Sequence, residues 1–173
     1  MFTLEFTYRF ETAHRFTQGS TKCTTPHGHT WRATLGFRSP AEGMGEAEMV
    51  EEFEALKSNW RAFLSGTVDH SFLHHYRDPL LPALRDHIPG FRGLGFPGDP
   101  TTEMLASFFL RKAIAMRRPG GLEPSFVTVE ETPTNRLTFD REGLAAIALR
   151  FSGFHGWWED ADPASRRFEA SPE

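Results

Sequence analysis

Apolar and polar residues alternate along two N-terminal segments of the chain. Within residues 2–14, every second position is apolar at Phe2, Leu4, Phe6, Tyr8 and Phe10. Within residues 27–37, the apolar positions of the same alternation are Trp31, Ala33, Leu35 and Phe37. A period of two is typical of a β-strand that buries one face. We therefore predict two strands here, joined by a polar loop over residues 15–26.

Apolar residues at helical spacing come next. Between residues 46 and 64 they recur every three or four positions, at Met49, Phe53, Leu56, Trp60 and Phe63. This pattern predicts a helix over residues 46–64, with several glutamates in its first turns, where negative charge suits the helix dipole. Residues 67–100 are rich in proline and glycine. They are predicted to be largely irregular, with a short helix at residues 80–87.

A second long helix and two short strands are predicted in the C-terminal half. The helix begins at Thr101, directly after Pro100, and ends at a Pro-Gly-Gly sequence. The strands cover residues 125–131 and 136–139, on either side of a polar turn. A further helix is favoured over residues 143–151.

The order of these elements predicts an α+β fold, with an antiparallel four-stranded sheet and two helices on one of its faces. We assign residues 1–151 to a single domain. Residues 152–173 are polar and acidic, which indicates a loosely ordered C-terminal extension. Two roles stay open for its aromatic stretch at residues 154–159: packing against its own domain, which we favour, and binding a partner.

Composition narrows the class of protein. The chain has 173 residues and a formal net charge of −4, which gives no reason to expect a nucleic-acid partner. No apolar run approaches the roughly 18 residues that a membrane-spanning helix needs. The single cysteine rules out an internal disulfide, and the first residues resemble neither a signal peptide nor a transit peptide. We therefore expect a cytoplasmic protein with no membrane partner.

Three histidines form the strongest chemical signal. His27 and His29 are two residues apart on a predicted strand, so both imidazoles point to the same face. His14 ends the preceding strand, which can pair with this one as a hairpin. Three imidazoles that leave a fourth position open are the ligand set of a catalytic zinc ion, which acts as a Lewis acid on a substrate oxygen. Taken alone, the pattern fits structural or surface histidines about equally well.

Cys23 is a candidate for thiolate chemistry. It lies beside Lys22 in the polar loop, four residues before His27. A neighbouring cation and a nearby metal both favour the thiolate over the thiol. Two alternatives stay open: a small buried apolar residue, and a fourth zinc ligand that closes the site and makes it structural.

Four further residues are candidates on chemical grounds. Asp69 precedes His70, and a carboxylate that orients an imidazole sets up a proton relay. Glu103 lies in the first turn of the second long helix. Glu131 ends a strand, where a carboxylate can accept paired hydrogen bonds from a guanidine-like edge. Each of these residues also has a structural interpretation, as a helix cap, a charge that compensates the helix dipole or a solvated surface group.

Together these residues resemble the 6-pyruvoyltetrahydropterin synthase and 6-carboxytetrahydropterin synthase family. The family's motifs occur in the family's order, as His14, Cys23-x3-His27-Gly28-His29, Val68-Asp69-His70, Pro100-Thr101-Thr102-Glu103 and Val129-Glu130-Glu131-Thr132. The resemblance covers about residues 2–139. The chain departs from the family at Phe72-Leu73, where Leu-Asn is common, at Met104, where asparagine is usual, and in the long connection over residues 75–99.

The resemblance implies a T-fold, in which three subunits form a barrel and two trimers stack into a hexamer, with active sites at subunit interfaces. It also implies Zn²⁺ as the cofactor and a pterin triphosphate as the substrate. The implied metal ligands are His14, His27 and His29. The implied proton-transfer residues are Cys23, Asp69 and His70. The implied pterin pocket contains Glu131 as the anchor, together with Thr101 and Glu103.

We therefore predict a zinc-dependent lyase that converts 7,8-dihydroneopterin triphosphate to 6-carboxy-5,6,7,8-tetrahydropterin, as in the pathway to queuosine. The alternative product is 6-pyruvoyltetrahydropterin, formed with release of triphosphate, because both reactions use the same residues. Two alternatives come from other classes: a non-catalytic pterin-binding protein with structural zinc, and a zinc hydrolase of unrelated fold.

Overall fold

A six-stranded sheet forms the centre of the protein in the computed structural model, which describes residues 1–19 and 21–170. Its strands are β1 (Phe2–His14), β2 (His27–Ser39), β3 (Phe72–His75), β4 (Gly93–Phe96), β5 (Pro124–Thr132) and β6 (Asn135–Asp140). Their order across the sheet is β4-β3-β1-β2-β5-β6. The four long strands are antiparallel, whereas β3 pairs with β1 in parallel and β4 pairs with β3 in parallel.

Five α-helices accompany the sheet. They are α1 (Thr21–Thr24), α2 (Phe53–Phe63), α3 (Leu81–His87), α4 (Thr102–Ala115) and α5 (Leu144–Arg150). Helix α2 continues directly into a π-helical turn, Leu64–Val68. Two short C-terminal strands, β7 (Phe154–Gly156) and β8 (Phe168–Ala170), pair with each other. No helix among the described residues combines the length and the hydropathy that crossing a bilayer requires.

The α+β class predicted from the sequence is confirmed, but the predicted number of strands is too small. Strands β3 and β4 lie in the stretch that was expected to be largely irregular. Each has only four residues, and two glycines interrupt β4, so neither strand shows an apolar alternation long enough to detect. The two long N-terminal strands, the short helix α3 and the hairpin of β5 and β6 are where the sequence places them.

Helix α2 begins at Phe53, seven residues later than its apolar stripe predicts. The preceding residues form a turn that anchors the neighbouring loop, where Glu51 accepts a hydrogen bond from the Leu122 amide at 3.0 Å. Met49 and Phe53 are about half exposed, at 49% and 52%, so the N-terminal part of the stripe does not face the core. The buried part of the stripe is its C-terminal end, at Trp60 and Phe63.

Aromatic rings make up much of the core between the sheet and α4. Phe109 of α4 packs edge-on against Phe10 of β1 and against Phe63 of α2, with ring centroids 6.2 and 5.5 Å apart. Edge-to-face pairs at such separations add stability beyond the burial of their surface. Helix α4 therefore connects the first strand to the first long helix.

The described part of the C-terminal segment differs from the loose tail expected from its composition. Trp157 and Trp158 are fully buried, and Trp158 packs edge-on against Phe108 of α4 with centroids 4.6 Å apart. Trp157 donates its indole N–H to the Gly95 carbonyl on the edge strand β4, at 2.9 Å. The aromatic stretch therefore packs against its own domain, and its polar neighbours cover the edge of the sheet.

One buried lysine holds this segment in place. Lys112 of α4 is fully buried, and its ammonium donates hydrogen bonds to three carbonyl oxygens of the C-terminal segment, those of Trp157, Asp160 and Asp162, at 2.9, 2.8 and 2.7 Å. An ammonium group has three donors, so all of them are satisfied. Burial lowers the pKa of Lys112 to about 8, against the attraction of the Asp160 and Asp162 carboxylates.

Candidate functional site

The register between β1 and β2 brings three histidines together. His14 is paired directly with His27, and Thr12 is paired with His29. Because side chains alternate along a strand, all three imidazoles project from the same face of the hairpin. Their candidate ligand atoms lie within 4.8 Å of one another. The predicted convergence of these three residues is therefore confirmed.

Backbone carbonyls fix the orientation of two of these rings. The Nδ1 atom of His14 donates to the Pro100 carbonyl at 2.9 Å, and that of His27 donates to the Thr25 carbonyl at 2.8 Å. A carbonyl oxygen can only accept, so Nδ1 carries a proton in both rings, and in the neutral imidazole Nε2 then carries a lone pair. Metal-binding histidines are commonly held by such a contact on the nitrogen that faces away from the metal.

The facing nitrogens fit a divalent cation. Nε2 of His14 and Nε2 of His27 are 3.1 Å apart, although both present lone pairs. Zinc bound tetrahedrally at about 2.0–2.1 Å from each nitrogen places two ligand nitrogens about 3.3 Å apart. Nε2 of His29 is buried and has no hydrogen-bond partner among the described residues. The donor set thus suits Zn²⁺, with the ion accounting for both the short separation and the unpaired nitrogen.

The surroundings favour neutral imidazoles, the form that binds metals. The pKa of His14 is lowered to about 4, mainly by burial and to a smaller degree by the neighbouring His27 and His29, although the hydrogen bond to the Pro100 carbonyl opposes this. Burial also lowers the pKa of His29, although the carboxylate of Glu131 opposes this effect.

Glu131 lies beside the histidine cluster. Its Oε1 atom is 3.7 Å from Nε2 of His14 and 3.8 Å from Nε2 of His29. The residue is at the end of β5, where the pairing between β5 and β6 shifts its register. A carboxylate here supplies negative charge next to the three imidazole rings.

Cys23 lies in the short helix α1, a few residues before β2. Its thiol is partly buried and is not one of the atoms that make up the three-histidine group. The alternative in which Cys23 is a fourth metal ligand therefore finds no support in the geometry.

The loop that carries Cys23 is tied to the start of α4. The Phe16 amide donates to the Cys23 carbonyl at 2.8 Å. The carboxylate of Asp99 accepts from the Thr17 amide and hydroxyl, both at 2.8 Å, and from the Gln18 amide at 3.1 Å. Sequence reasoning missed Asp99, although its position directly before the Pro100-Thr101 motif was a usable signal.

Asp69 and His70 follow the π-helical turn. Nδ1 of His70 lies 2.9 Å from Oδ2 of Asp69, while Oδ1 of Asp69 accepts from the Glu11 amide at 2.7 Å. Burial works to raise the pKa of Asp69, but the hydrogen bonds from Glu11 and His70 outweigh it and the pKa is lowered. The carboxylate is thus held ionised against the His70 ring.

His70 is exposed and takes an unusual backbone conformation. Its φ angle is +54°, a region that residues other than glycine seldom adopt, and such strain is often found at functional sites. The residue lines an open groove of 410 Å³ together with His29, Glu11 and Thr30. Glu11 and Thr30 alternate with the cluster histidines along β1 and β2, so this groove lies on the face of the hairpin opposite to the three imidazoles. Among the described residues, no hydrogen bond or ring contact joins His70 to the cluster.

Thr101 and Glu103 lie at the beginning of α4. Thr101 caps the helix, because its hydroxyl accepts from the Met104 amide at 3.3 Å. Both residues line a cavity of 500 Å³ beside α5. Since the adjacent Pro100 carbonyl accepts from His14, this helix start and the histidine cluster are in direct contact.

Comparison with known proteins identifies the family. The profile of 6-pyruvoyl tetrahydropterin synthase matches residues 3–142 of this chain, which is most of its length. The chain belongs to the 6-pyruvoyl tetrahydropterin synthase family. A curated relative, the 6-carboxy-5,6,7,8-tetrahydropterin synthase of Aquifex aeolicus, is 31% identical over 123 residues, which is 60% of this chain and 73% of that protein.

Solved structures confirm the T-fold. An uncharacterised protein of Wolinella succinogenes has a TM-score of 0.69 at 22% identity, covering 81% of this chain and 98% of its own. The 6-pyruvoyl tetrahydropterin synthase of Caenorhabditis elegans has a TM-score of 0.56 at 25% identity, covering 80% of this chain and 94% of its own. The family profile ends at residue 142, so α5 and the buried C-terminal segment lie outside it.

Proposed function

We propose that this chain is a zinc-dependent lyase that converts 7,8-dihydroneopterin triphosphate to 6-carboxy-5,6,7,8-tetrahydropterin. Membership of the family makes it an enzyme of the tetrahydropterin synthase type. The observation that carries the proposal is the His14, His27 and His29 cluster, whose ring nitrogens face one point. Zinc bound there would act as a Lewis acid on a hydroxyl oxygen of the substrate side chain.

The chain's own residues supply the proton transfers in this proposal. We propose that Cys23, in the short helix α1 that precedes the two metal-site histidines of β2, takes a proton from a side-chain carbon. Asp69 holds the imidazole of His70 by a 2.9 Å hydrogen bond, and His70 passes protons to and from the substrate oxygens. The three backbone contacts to Asp99 and Cys23 fix the loop that positions the thiol.

The pterin ring is proposed to bind between Glu131 and the start of α4. In this proposal Glu131 accepts hydrogen bonds from the guanidine-like edge, and Thr101 and Glu103, which line the cavity at the start of α4, contact the rest of the ring. Glu131 lies 3.7 Å from His14, so its carboxylate also contributes negative charge beside the candidate metal site. A cytoplasmic, reducing location suits a free thiol with this role.

The names of relatives favour the carboxypterin product. The three curated relatives, from Aquifex aeolicus, Halobacterium salinarum and Haemophilus influenzae, are named as established or probable 6-carboxytetrahydropterin synthases. The second candidate is formation of 6-pyruvoyltetrahydropterin, which the name of the Caenorhabditis elegans protein favours. Queuosine synthesis is the pathway that would consume the first product.

Product analysis separates these reactions. Zinc-loaded protein is incubated with 7,8-dihydroneopterin triphosphate, and the products are identified by mass spectrometry. We expect 6-carboxytetrahydropterin, acetaldehyde and triphosphate. A pyruvoylpterin selects the second candidate, and unchanged substrate rules out both.

A non-catalytic pterin-binding role is tested by Cys23→Ala. The substitution is expected to lower turnover by about 10² to 10⁴, the usual contribution of a positioned acid or base, while zinc content and pterin binding stay at the wild-type level. Turnover is measured with saturating substrate, zinc by elemental analysis and pterin binding by fluorescence. If turnover is unchanged, Cys23 is not the proton-transfer group; if zinc is lost, the thiol holds the metal.

A further inference from the structure

A second cavity, of 400 Å³, is distinct from the cavity at the start of α4. It opens where β3 and β4 meet the C-terminal segment. Its chemistry comes from His74, Arg85 and Arg166, and its aromatic walls come from Tyr76, Phe91 and Phe168. No proposed site residue lines it, and Arg166 and Phe168 lie beyond the part of the chain that the family profile matches.

His74 presents an unused acceptor to this cavity. His74 is only 5% exposed, and its Nδ1 atom donates a hydrogen bond to the His75 carbonyl at 3.0 Å. The proton is therefore on Nδ1, and Nε2 carries a lone pair that has no hydrogen-bond partner among the described residues. A β-carbon at Gly93 would come within 2.9 Å of Nε2, so the glycine is what allows the ring to lie against β4. Burial lowers the pKa of His74, which keeps the ring neutral.

Arg85 presents an unpaired cation to the same cavity. Arg85 is exposed on α3 and has no ion pair or hydrogen bond with the described residues. Arg85 and His74 line the same cavity, and the positive charge of Arg85 contributes to lowering the pKa of His74. Asp78, a nearby carboxylate, is already paired with Arg15 at 3.0 Å.

Arg166 has a different role, because its guanidinium is already used in the wall. It donates to the Gly93 carbonyl and to the Ser71 hydroxyl, both at 3.1 Å, and to the Thr67 carbonyl. The cavity therefore has a rigid wall, a free cation and a free neutral acceptor, bordered by aromatic rings. Tyr76 and Phe168 stack with centroids 5.3 Å apart, and flat aromatic walls suit a planar guest.

We propose that this cavity binds a small planar heteroaromatic anion. The anionic group pairs with Arg85, an N–H of the ring donates to Nε2 of His74, and the ring lies against the aromatic side chains that border the cavity. Among the described residues, His74 and His75 belong to no group of three or more candidate metal ligands. Moreover, Nδ1 of His75 already accepts from the Arg77 amide at 2.9 Å.

Orotate is a suitable probe, since its ring carries two N–H donors and a carboxylate. Titration calorimetry on the full-length protein is expected to show one orotate site per chain. Arg85→Gln should weaken binding at least about tenfold, the effect of losing one charge-assisted hydrogen bond. His74→Phe keeps a ring of similar size but removes the acceptor, and we expect it to weaken binding of orotate while leaving binding of benzoate, which has no ring N–H, unchanged.

Arg61→Gln is the matched control, because Arg61 is an exposed arginine on α2 that pairs with Glu54 at 3.3 Å and does not line the cavity. It should bind orotate as the wild-type protein does. Absence of binding at about 10 mM orotate overturns the proposal, because this corresponds to less than about 3 kcal/mol of binding free energy. Equal binding by wild type and Arg85→Gln also overturns it, since the ligand then occupies another site. Neither result depends on zinc or on pterin turnover.

Discussion

Two lone pairs that face each other are the most informative feature at the scale of single residues. The Nε2 atoms of His14 and His27 are 3.1 Å apart, and the backbone contacts at both Nδ1 atoms leave both Nε2 atoms as acceptors when the rings are neutral. Two neutral rings in this arrangement need a cation between the two atoms, either a metal ion or a shared proton. The hairpin between β1 and β2 is therefore a preorganised chelator, in which folding of the sheet has already placed the ligands.

His27→Ala should abolish high-affinity zinc binding. The substitution removes one ligand of three. The other two rings stay in place, because β1 holds His14 and the rest of β2 holds His29. Zinc content after dialysis is measured by elemental analysis, and we expect about one ion per chain in the wild-type protein and almost none in the variant.

His87→Ala is the control for this measurement. His87 is an exposed histidine at the end of α3 and is not part of the cluster. Its substitution should leave the zinc content unchanged. Retention of a full complement of zinc by His27→Ala would show that the three rings do not form the metal site.

At the scale of secondary-structure elements, helix α4 organises the molecule. Its first turn contacts His14 through Pro100, its middle packs on β1 and α2, and its last turns hold the C-terminal segment through Lys112. A single helix thus links the candidate metal site to the part of the chain that lies outside the family profile.

Lys112→Met should destabilise the protein by about 2–4 kcal/mol, because three carbonyl oxygens lose their donor in a buried setting. Chemical denaturation monitored by tryptophan fluorescence measures this loss, since Trp157 and Trp158 lie in the affected segment. Lys57→Met is the control: Lys57 makes only a surface ion pair with Glu54 at 3.1 Å, so its loss should cost less than about 1 kcal/mol.

The same lysine predicts a pH dependence. The pKa of Lys112 is about 8 in the folded protein, against an ordinary value of 10.5. Between these values the unfolded chain holds a proton that the folded chain has released, so the free energy of unfolding rises with pH in this window. The wild-type protein should therefore gain stability over Lys112→Met as the pH increases from 8 to 10.5. Parallel stability curves for the two proteins would contradict this expectation.

Features that depend on neighbouring residues could be predicted from the sequence, whereas features that depend on contacts between residues far apart along the chain could not. The strands of the first hairpin and the convergence of His14, His27 and His29 depend on a local period of two, which is visible in the residues themselves. The late start of α2 depends on Glu51 binding the distant Leu122 amide, and the burial of Trp157 depends on packing against α2, α4 and β4. Contacts between residues so far apart leave no local pattern.

At the scale of the whole molecule, the sheet has two long free edges. Strand β1 pairs with β3 only at Ala13 and His14, so most of its outer edge is open, and β6 is the last strand on the other side. Exposed edges of this length are usually covered by another chain. The edge formed by β4, by contrast, is covered by the C-terminal segment.

This arrangement predicts an assembly that joins β1 of one copy to β6 of the next. We expect a hexamer of two stacked trimers, as the T-fold family resemblance implies, with a mass six times that of the chain. Light scattering coupled to size exclusion measures the mass. A monomer at micromolar concentration would contradict this prediction and would leave the proposed sites without their subunit interfaces.

The burial of Trp157 and Trp158 has a consequence for biosynthesis. Residues near the end of the chain complete the core that the earliest residues begin, since Trp157 packs against Phe63 and Phe96. A nascent chain therefore lacks part of its interior until Trp157 and Trp158 have left the ribosome. We expect a chain that stops near residue 150 to be degraded rather than to act as a shorter working enzyme, because it lacks both tryptophans.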